Sequence, residues 1–426
     1  MKKYVLVGTG GRAEFYYGAM ARDFKDTCTL AAFCDINQTR MGYANQLLEE
    51  KYQHPAIPTY HAADFDLMIQ KEKPDIVIVT TIDRTHHSYI IRALELGCDV
   101  ITEKPMTTDE VKCQEILDAI QRTGKEVRVT FNYRYAPHNT KIKELIRSGV
   151  IGKVNAVHFE WALDTKHGAD YFRRWHRDKR NSGGLLVHKS THHFDLVNFW
   201  LDTAPQRVYA SGDLLFYGRE NAEQRGETTF YQRAYQSEQA KRDPFALDLE
   251  GNPHLKAMYL DAEKEDGYQR DQSVFGDGIS IEDTLGVLVN YKSKAILTYS
   301  LNAYLPWEGF IVSFNGTKGR IDARIIEKSY VNSGGEKAEE GQLEQLSIVV
   351  SPMFDAPYEV EVNTEKGGHG GGDTVMLQDL FGMPEPDVYS RAATHIDGAM
   401  SIMTGIAGNH SLRSGNAVNI SELINL

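Results

Sequence analysis

Two short runs of this 426-residue chain carry the residue types best suited to moving a proton: Glu103-Lys104-Pro105, and Gly183-Gly184-Leu185-Leu186-Val187-His188-Lys189-Ser190-Thr191-His192-His193-Phe194-Asp195. A lysine at the first position can donate to a hydroxyl or carbonyl oxygen while its charge favours the alkoxide form. The proline after it stiffens the backbone that aims the side chain, although a solvated turn lysine would read the same way. In the second run His188, His192 and Asp195 fall at i, i+4 and i+7, so on a helix they share one face. Imidazole exchanges protons near neutral pH, which makes His192 a candidate general base with His188 beside it. Two histidines at this spacing also form half of a zinc pattern, but no glutamate lies between them and no metal site is assigned. The glycine pair would let backbone come close to a ligand, and His193 reads as a helix-capping residue.

A nucleotide site is written at the start of the chain. Tyr4-Val5-Leu6-Val7 is β-prone and runs into Gly8-Thr9-Gly10-Gly11-Arg12-Ala13, which fits G-x-G-x-x-G/A, with helix-compatible residues to Ala21. Gly8 allows the tight turn, Gly10 lets backbone approach a pyrophosphate, and Ala13 lets the helix lie close to the strand. The helix N-terminus adds free N–H groups and a partial positive charge. A second apolar run, Leu30 to Cys34, ends at Asp35, whose carboxylate suits the ribose hydroxyls of NAD and repels the 2′-phosphate of NADP. Arg40 could offset that repulsion. NAD is therefore the expected cofactor, with NADP second.

The elements that must position these residues alternate strand and helix up to about residue 131. Asp75 to Thr80 is a near-continuous β-branched run, as in a strand buried on both faces. A helix over about 86–96 ends at Gly97. Val100 to Thr102 is the next strand, and Thr107 and Glu110 have capping-box spacing before a helix to about Arg122. Val127 to Phe131 follows as a strand. Repeated βα units predict a doubly wound parallel sheet in a domain over residues 1–131. Beyond it, a helix over about 138–148 precedes alternating runs at 154–161, 295–301 and 309–314, which predict a largely antiparallel open sheet in a second domain over 132–426.

The stretch 216–275 is polar, Tyr-rich and poor in aliphatic periodicity. It is too long for an ordinary loop, cannot bury a core of its own, and is expected to pack at a site mouth or against another subunit. Phe172 to Arg177 mixes aromatic and donor side chains, which suits a polyhydroxylated ligand or a basic turn. Gly367 to Asp373 is either a flexible linker or a loop that brings His369 and Asp373 over a sugar. Residues 334–344 read as a surface hairpin loop. A net charge of −12 offers no basic stripe to nucleic acid or anionic lipid. No apolar run approaches the ~20 residues of a membrane span, and the strand-like start leaves no room for a signal peptide. Cys28, Cys34, Cys98 and Cys113 show no C-x-x-C spacing, so buried free thiols in a reducing cytoplasm are expected.

The glycine turn, Asp35, Thr81-Ile82-Asp83-Arg84-Thr85-His86 and Ala93-Leu94-Glu95-Leu96-Gly97 leading to Glu103-Lys104-Pro105 together resemble the Gfo/Idh/MocA family of sugar and cyclitol oxidoreductases. Residues 148–154, 281–284, 315–319 and 409–415 extend the resemblance over nearly the whole chain. It implies hydride transfer between a secondary hydroxyl of a sugar, glycoside or cyclitol and NAD, and homodimer or homotetramer contacts through the open sheet. The alternatives are a glycosidase or epimerase that retains NAD and oxidises only transiently, and a non-catalytic sugar sensor on the same scaffold. The implied cofactor residues are Gly8, Gly10, Gly11, Arg12, Ala13, Asp35, Arg40, Thr81, His86, Glu103 and Lys104. Catalysis falls to Lys104, His192 and His188, where His188 and Ser190 replace the aspartate and glycine that many members carry. Tyr133, Arg134, Trp175, His176, Lys189, His369 and Asp373 are the expected substrate contacts.

Overall fold

The computed structural model describes residues 1–328, 342–362, 371–383 and 386–425. His369 and most of the loop expected over 334–344 lie outside them. The apolar runs of the first third form six parallel strands, β1 (Lys2–Val7), β2 (Cys28–Asp35), β3 (Thr59–His61), β4 (Ile76–Val79), β5 (Asp99–Thr102) and β6 (Val127–Val129). Their order is β3-β2-β1-β4-β5-β6, all parallel. The order reverses between β1 and β4, so the chain leaves the carboxyl ends of both strands in opposite directions and opens a crevice there. Gly8 is required at that point: its φ is +93°, and an added Cβ would lie 2.7 Å from the Thr81 nitrogen.

The second sheet holds β7 (Val154–Asp164), β8 (Pro205–Asp213), β9 (Thr284–Tyr291), β10 (Ile296–Leu305), β11 (Glu308–Gly316), β12 (Gly319–Glu327), β13 (Leu343–Pro352), β14 (Tyr358–Glu359) and β15 (Val418–Asn419). The order is β14-β13-β12-β11-β7-β10-β9-β8-β15, antiparallel except where β7 meets β10. Alternation has its expected outcome. Val287, Val289, Leu297 and Tyr299 are buried on one face, and Leu288, Ile296 and Tyr209 are exposed on the other. Helices Ser190–Leu201 and His395–Ser414 accompany the covered face. The second of these also reaches the first domain. An added Cβ at Gly405 would lie 2.2 Å from the Leu186 carbonyl oxygen, and one at Gly398 would lie 2.7 Å from Val129. Thr191 and Ser401 share a 2.8 Å hydrogen bond, and Asn409 donates to the Gly183 carbonyl at 2.7 Å. This helix therefore fixes the histidine run against the first sheet.

Several local expectations change. Helix Glu110–Thr123 is capped by Asp109, whose carboxylate accepts from the Lys112 N–H at 3.0 Å; Thr107 is buried one turn earlier and does not cap. Leu343 and Glu344 open β13 instead of continuing a loop. The 216–275 stretch contains helix Arg219–Gln224 and short helical turns, and it buries a small apolar cluster of its own, Leu247, Leu249, Leu255, Met258 and Tyr259, against Tyr43 of the first domain. Its entry is pinned by the buried Asp283 carboxylate, which accepts from the N–H groups of Leu215, Phe216 and Tyr217. All four cysteines are free and buried, and burial pushes their thiols up. Among the described residues no helix is long and apolar enough to cross a membrane.

Arg134 belongs to this framework and not to a ligand site. Its guanidinium is buried, bidentate to Asp195 at 2.7 and 2.6 Å, and 2.9 Å from Asp397. Arg134→Met should strand the Asp195 carboxylate in the interior and cost about 3–5 kcal/mol. Calorimetry that finds a wild-type melting temperature would refute this role.

Candidate active site

One cavity of about 660 Å³ is lined by the carboxyl end of the first sheet and by helices and loops of the second domain. Its first-domain wall holds Gly8, Gly10, Gly11, Arg12, Asp35, Arg40, Thr81, His86, Glu103 and Lys104. Ala13 is buried at the helix start behind this wall. An added Cβ at Gly10 would meet nothing within 4 Å, so the backbone there faces open space. Asp35 is aimed by three donors: the Thr9 N–H at 2.5 Å, the Thr9 hydroxyl at 2.9 Å and the Asn37 N–H at 2.9 Å. Two carboxylate oxygens offer about four lone-pair directions, which leaves capacity for a ribose diol. An open glycine turn at a helix N-terminus, with a carboxylate at the end of β2, fits a dinucleotide. His86 ties this wall together, its ring nitrogens lying 2.8 Å from the Pro105 carbonyl and 3.1 Å from the Thr81 carbonyl.

Lys104 follows β5 and is held by its neighbours. Glu103 accepts from Arg12 Nε at 2.6 Å and the Tyr16 hydroxyl at 2.7 Å. Burial pushes the Glu103 carboxyl up, but Arg12, Lys104 and Tyr16 outweigh it and hold the group below its ordinary value. Lys104 Nζ donates to the His188 carbonyl at 3.3 Å. Burial brings the Lys104 ammonium down to about 8, against the opposing pull of Glu103 and Asp83.

The histidine run arrives from the second domain. Gly183 and Gly184, with φ of +71° and +79°, turn helix Lys179–Ser182 into helix Leu185–His188. Their Cβ positions are filled by Val187 and Lys179, so these glycines make a turn and do not admit a ligand. The helix breaks at Lys189 and restarts at Ser190, yet His188 and His192 both reach the cavity. His188 Nδ1 lies 2.5 Å from Asp83 Oδ2 across the domain boundary. Burial drives the Asp83 carboxyl up, against Lys104 and Arg174, and drives the His188 imidazole down, with Lys104 and Arg174 helping. His192 packs edge-on against Phe131 and Tyr133 at 5.9 and 5.1 Å. His193 does not cap the helix. It stacks on Trp161 at 3.8 Å and bonds to the Tyr299 hydroxyl at 2.6 Å, because its side of the helix faces the sheet.

The remaining candidates divide. Tyr133, Trp175, His176 and Lys189 line the cavity, with Trp175 stacked on His176 at 3.6 Å and Lys189 placed over the rings of Trp161 and Tyr133. Of the aromatic–basic run, Arg174 also faces inward, whereas Arg173 and Arg177 fasten the 216–275 stretch through the Phe245 and Ser273 carbonyls. Arg134 is committed to Asp195, and Asp373 accepts from Asn132 at 2.8 Å without reaching the lining. Sequence reasoning missed His167, Asp170, Tyr171, Tyr259, Asp266 and Tyr268, all of which line the cavity, and it placed Asp83 only in a cofactor segment. Among the described residues no group of three or more His, Cys, Asp or Glu is arranged to hold a metal ion.

Comparison with known proteins decides the family. Residues 2–131 match the NAD-binding Rossmann-fold domain of the oxidoreductase family Gfo/Idh/MocA, and residues 143–420 match its C-terminal alpha/beta domain. The chain belongs to the Gfo/Idh/MocA family. It is 34% identical to the Bacillus subtilis protein YteT over 439 aligned positions, covering 100% of this chain and 99% of YteT. It is 32% identical to the D-glucoside 3-dehydrogenase of Escherichia coli over 152 positions, covering 36% of this chain and 41% of that enzyme. A solved oxidoreductase from Agrobacterium radiobacter, in complex with NAD⁺, L-tartaric acid and magnesium, superimposes with a TM-score of 0.63 at 14% identity over 99% of each chain. The protein is thus a Gfo/Idh/MocA oxidoreductase with a small-molecule substrate. Where the family resemblance places an aspartate it has His188, and the Asp83 carboxylate lies against that histidine.

Asp83→Asn keeps the shape but removes the carboxylate charge that faces His188 Nδ1. It should lower turnover by at least ~10² while NAD affinity stays within about threefold. Unchanged turnover with a true substrate would remove Asp83 from the site's chemistry.

Proposed function

We propose that this oxidoreductase is an NAD-dependent dehydrogenase acting on a secondary hydroxyl of a sugar, glycoside or cyclitol. The observation that carries the reading is the convergence of Lys104, the Asp83–His188 pair and His192 on the cavity that also holds the open glycine turn and Asp35. The partial match to a D-glucoside 3-dehydrogenase supports the substrate class. Gly8, Gly10, Gly11 and the N-terminus of helix Ala13–Arg22 would hold the NAD pyrophosphate, and Asp35 its adenosine ribose. Bound there, NAD supplies the hydride acceptor.

The chain's own groups do the rest. His192 takes the hydroxyl proton on a ring nitrogen, a contribution of ~10²–10⁴-fold. Lys104 keeps its ammonium against the same oxygen and lowers the cost of negative charge there. The Asp83–His188 pair receives Lys104 through the His188 carbonyl and fixes its direction. Tyr133, Trp175, His176 and Lys189 offer aromatic faces and donors to ring hydroxyls. The uncovered face of the large sheet, with exposed Tyr209, Leu288 and Ile296, is the proposed surface of a homo-oligomer, which light scattering would test.

A panel of sugars, glycosides and inositols assayed for NAD reduction tests the function; no reduction with any of them would sink it. Lys104→Met and His192→Asn should each reduce turnover at least ~100-fold with NAD binding retained. The pH dependence has a definite sign. The Lys104 ammonium is intact below about 8 and is lost as pH rises through that value, so kcat/KM should fall on the alkaline side near pH 8. Lys104→Arg keeps its charge across that range, and any residual activity should lack this limb. An identical limb in Lys104→Arg would assign it to another group.

A further inference from the structure

The polar stretch before β9 reaches back to the first domain at the one place where NAD and NADP differ. Helix Gln38–Glu50 begins just beyond Asp35, and its first N–H groups would ordinarily attract an anion. Glu265 occupies them: it accepts from the Gln38 N–H at 2.5 Å and the Thr39 N–H at 3.1 Å, and from the Thr39 hydroxyl. Arg40, the cation that could accept a 2′-phosphate, is treated the same way. Its Nη1 lies 2.6 Å from Asp266 Oδ2, and its Nε donates to the Met258 carbonyl at 3.2 Å. Asn37 fixes the carboxylate from the other side, donating to Asp266 at 3.1 Å and to the Ala262 carbonyl at 3.0 Å. Arg40 is only 8% exposed, its Nη2 is buried without a hydrogen-bond partner among the described residues, and Arg40, Asp35 and Asp266 line the same cavity. The guanidinium thus faces the adenosine end of the site with one edge unused and its charge already matched.

We infer that Asp266 and Glu265 are specificity-determining residues that exclude NADP, by neutralising Arg40 and filling the helix N-terminus that would otherwise bind its 2′-phosphate. Cofactor choice is then set by an inserted segment from the second domain as well as by Asp35. Asp35 repels the phosphate from one side, and the two inserted carboxylates take away both of its possible counter-charges. A 2′-phosphate would meet Arg40 already paired, whereas a 2′-hydroxyl needs no cation. This rests on the dinucleotide reading of the cavity, and it sets an order among substitutions that Asp35 acting alone would not.

The test is equilibrium binding of NAD and NADP by calorimetric titration, independent of any substrate. Asp266→Asn retains an acceptor for Asn37 but frees Arg40. It should raise NADP affinity at least ~10-fold and leave NAD within about threefold. Arg40→Met in the Asp266→Asn background should abolish the gain, and Asp35→Ala alone should give a smaller one. Glu265→Gln, an exposed change, should improve NADP by about threefold and decides the matter if Asp266→Asn does not fold. The inference is overturned if Asp266→Asn folds without gaining NADP affinity, if the gain survives Arg40→Met, or if Asp35→Ala alone produces the full switch. Wild-type protein that binds neither cofactor would instead overturn the dinucleotide reading beneath it.

Discussion

The site depends on one contact that crosses the chain's main division, the 2.5 Å approach of Asp83 and His188. Asp83 sits in the turn after β4, and His188 ends a helix 105 residues later. Neither group is comfortable where it is. Burial penalises a carboxylate and an imidazolium alike, and the hydrogen bond between the two offsets part of both penalties. Because Lys104 hydrogen-bonds to the carbonyl of that same His188, the pair also sets where the lysine points. Displacing the second domain by an ångström would cost the Asp83 contact, the Lys104 hydrogen bond and the placement of His192 together. Helix His395–Ser414 resists such a displacement, since Gly405 and Gly398 let it lie in direct contact with both domains.

The charge balance of the cavity follows from the same packing. Lys104, Lys189, Arg174 and Arg12 all reach it, an arrangement that would repel itself if each were left unmatched. Arg12 is matched by Glu103, Arg174 by Asp170, and Arg40 by Asp266. Lys104 and Lys189 are the cations that burial weakens: both ammonium groups are pulled below their ordinary value. Burial shifts both ammonium groups the same way, and Glu103 and Asp83 oppose it at Lys104 as Glu308 and Glu327 do at Lys189. The arginines of the cavity wall are held in ion pairs, so they serve as fixed architecture.

How much of this was legible in the sequence depends on the range of the interaction. Local patterns carried through. The glycine turn, Asp35, the strand leading to Lys104 and the alternating runs of the large sheet each follow from neighbours within a few residues, and the structure has them. The pairing of Arg134 with Asp195, and of Asp83 with His188, did not follow. Each joins residues far apart in the chain, and nothing in the local sequence separates an arginine bound for a buried carboxylate from one bound for a sugar. His193 illustrates the same limit at short range: adjacent to His192, it lies toward Trp161 because the helix rotates it to the sheet side. Only the helical angle between neighbours separates a proton-transfer candidate from a packed aromatic-like residue.

The 216–275 stretch is the sharpest case, because its composition argued against a core and it nonetheless folds. Leu247, Leu249, Leu255, Met258 and Tyr259 form a cluster too small to stand alone, and they are completed by Tyr43 from the other domain. The rest of its order comes from charge-assisted hydrogen bonds. Asp283 gathers three backbone N–H groups at one end, Glu265 caps a helix of the first domain at the other, and Arg233 bridges Glu263 and Asp271 between them. Such bonds are individually modest, but each also satisfies a backbone or buried group that would otherwise remain unpaired. A polar segment can thus be ordered by docking where its hydrophobic content alone would leave it a coil. The docking surface is the rim of the nucleotide crevice, so whatever holds the segment in place also shapes the cavity wall formed by Tyr259, Asp266 and Tyr268. Fold and ligand site are stabilised there by the same bonds.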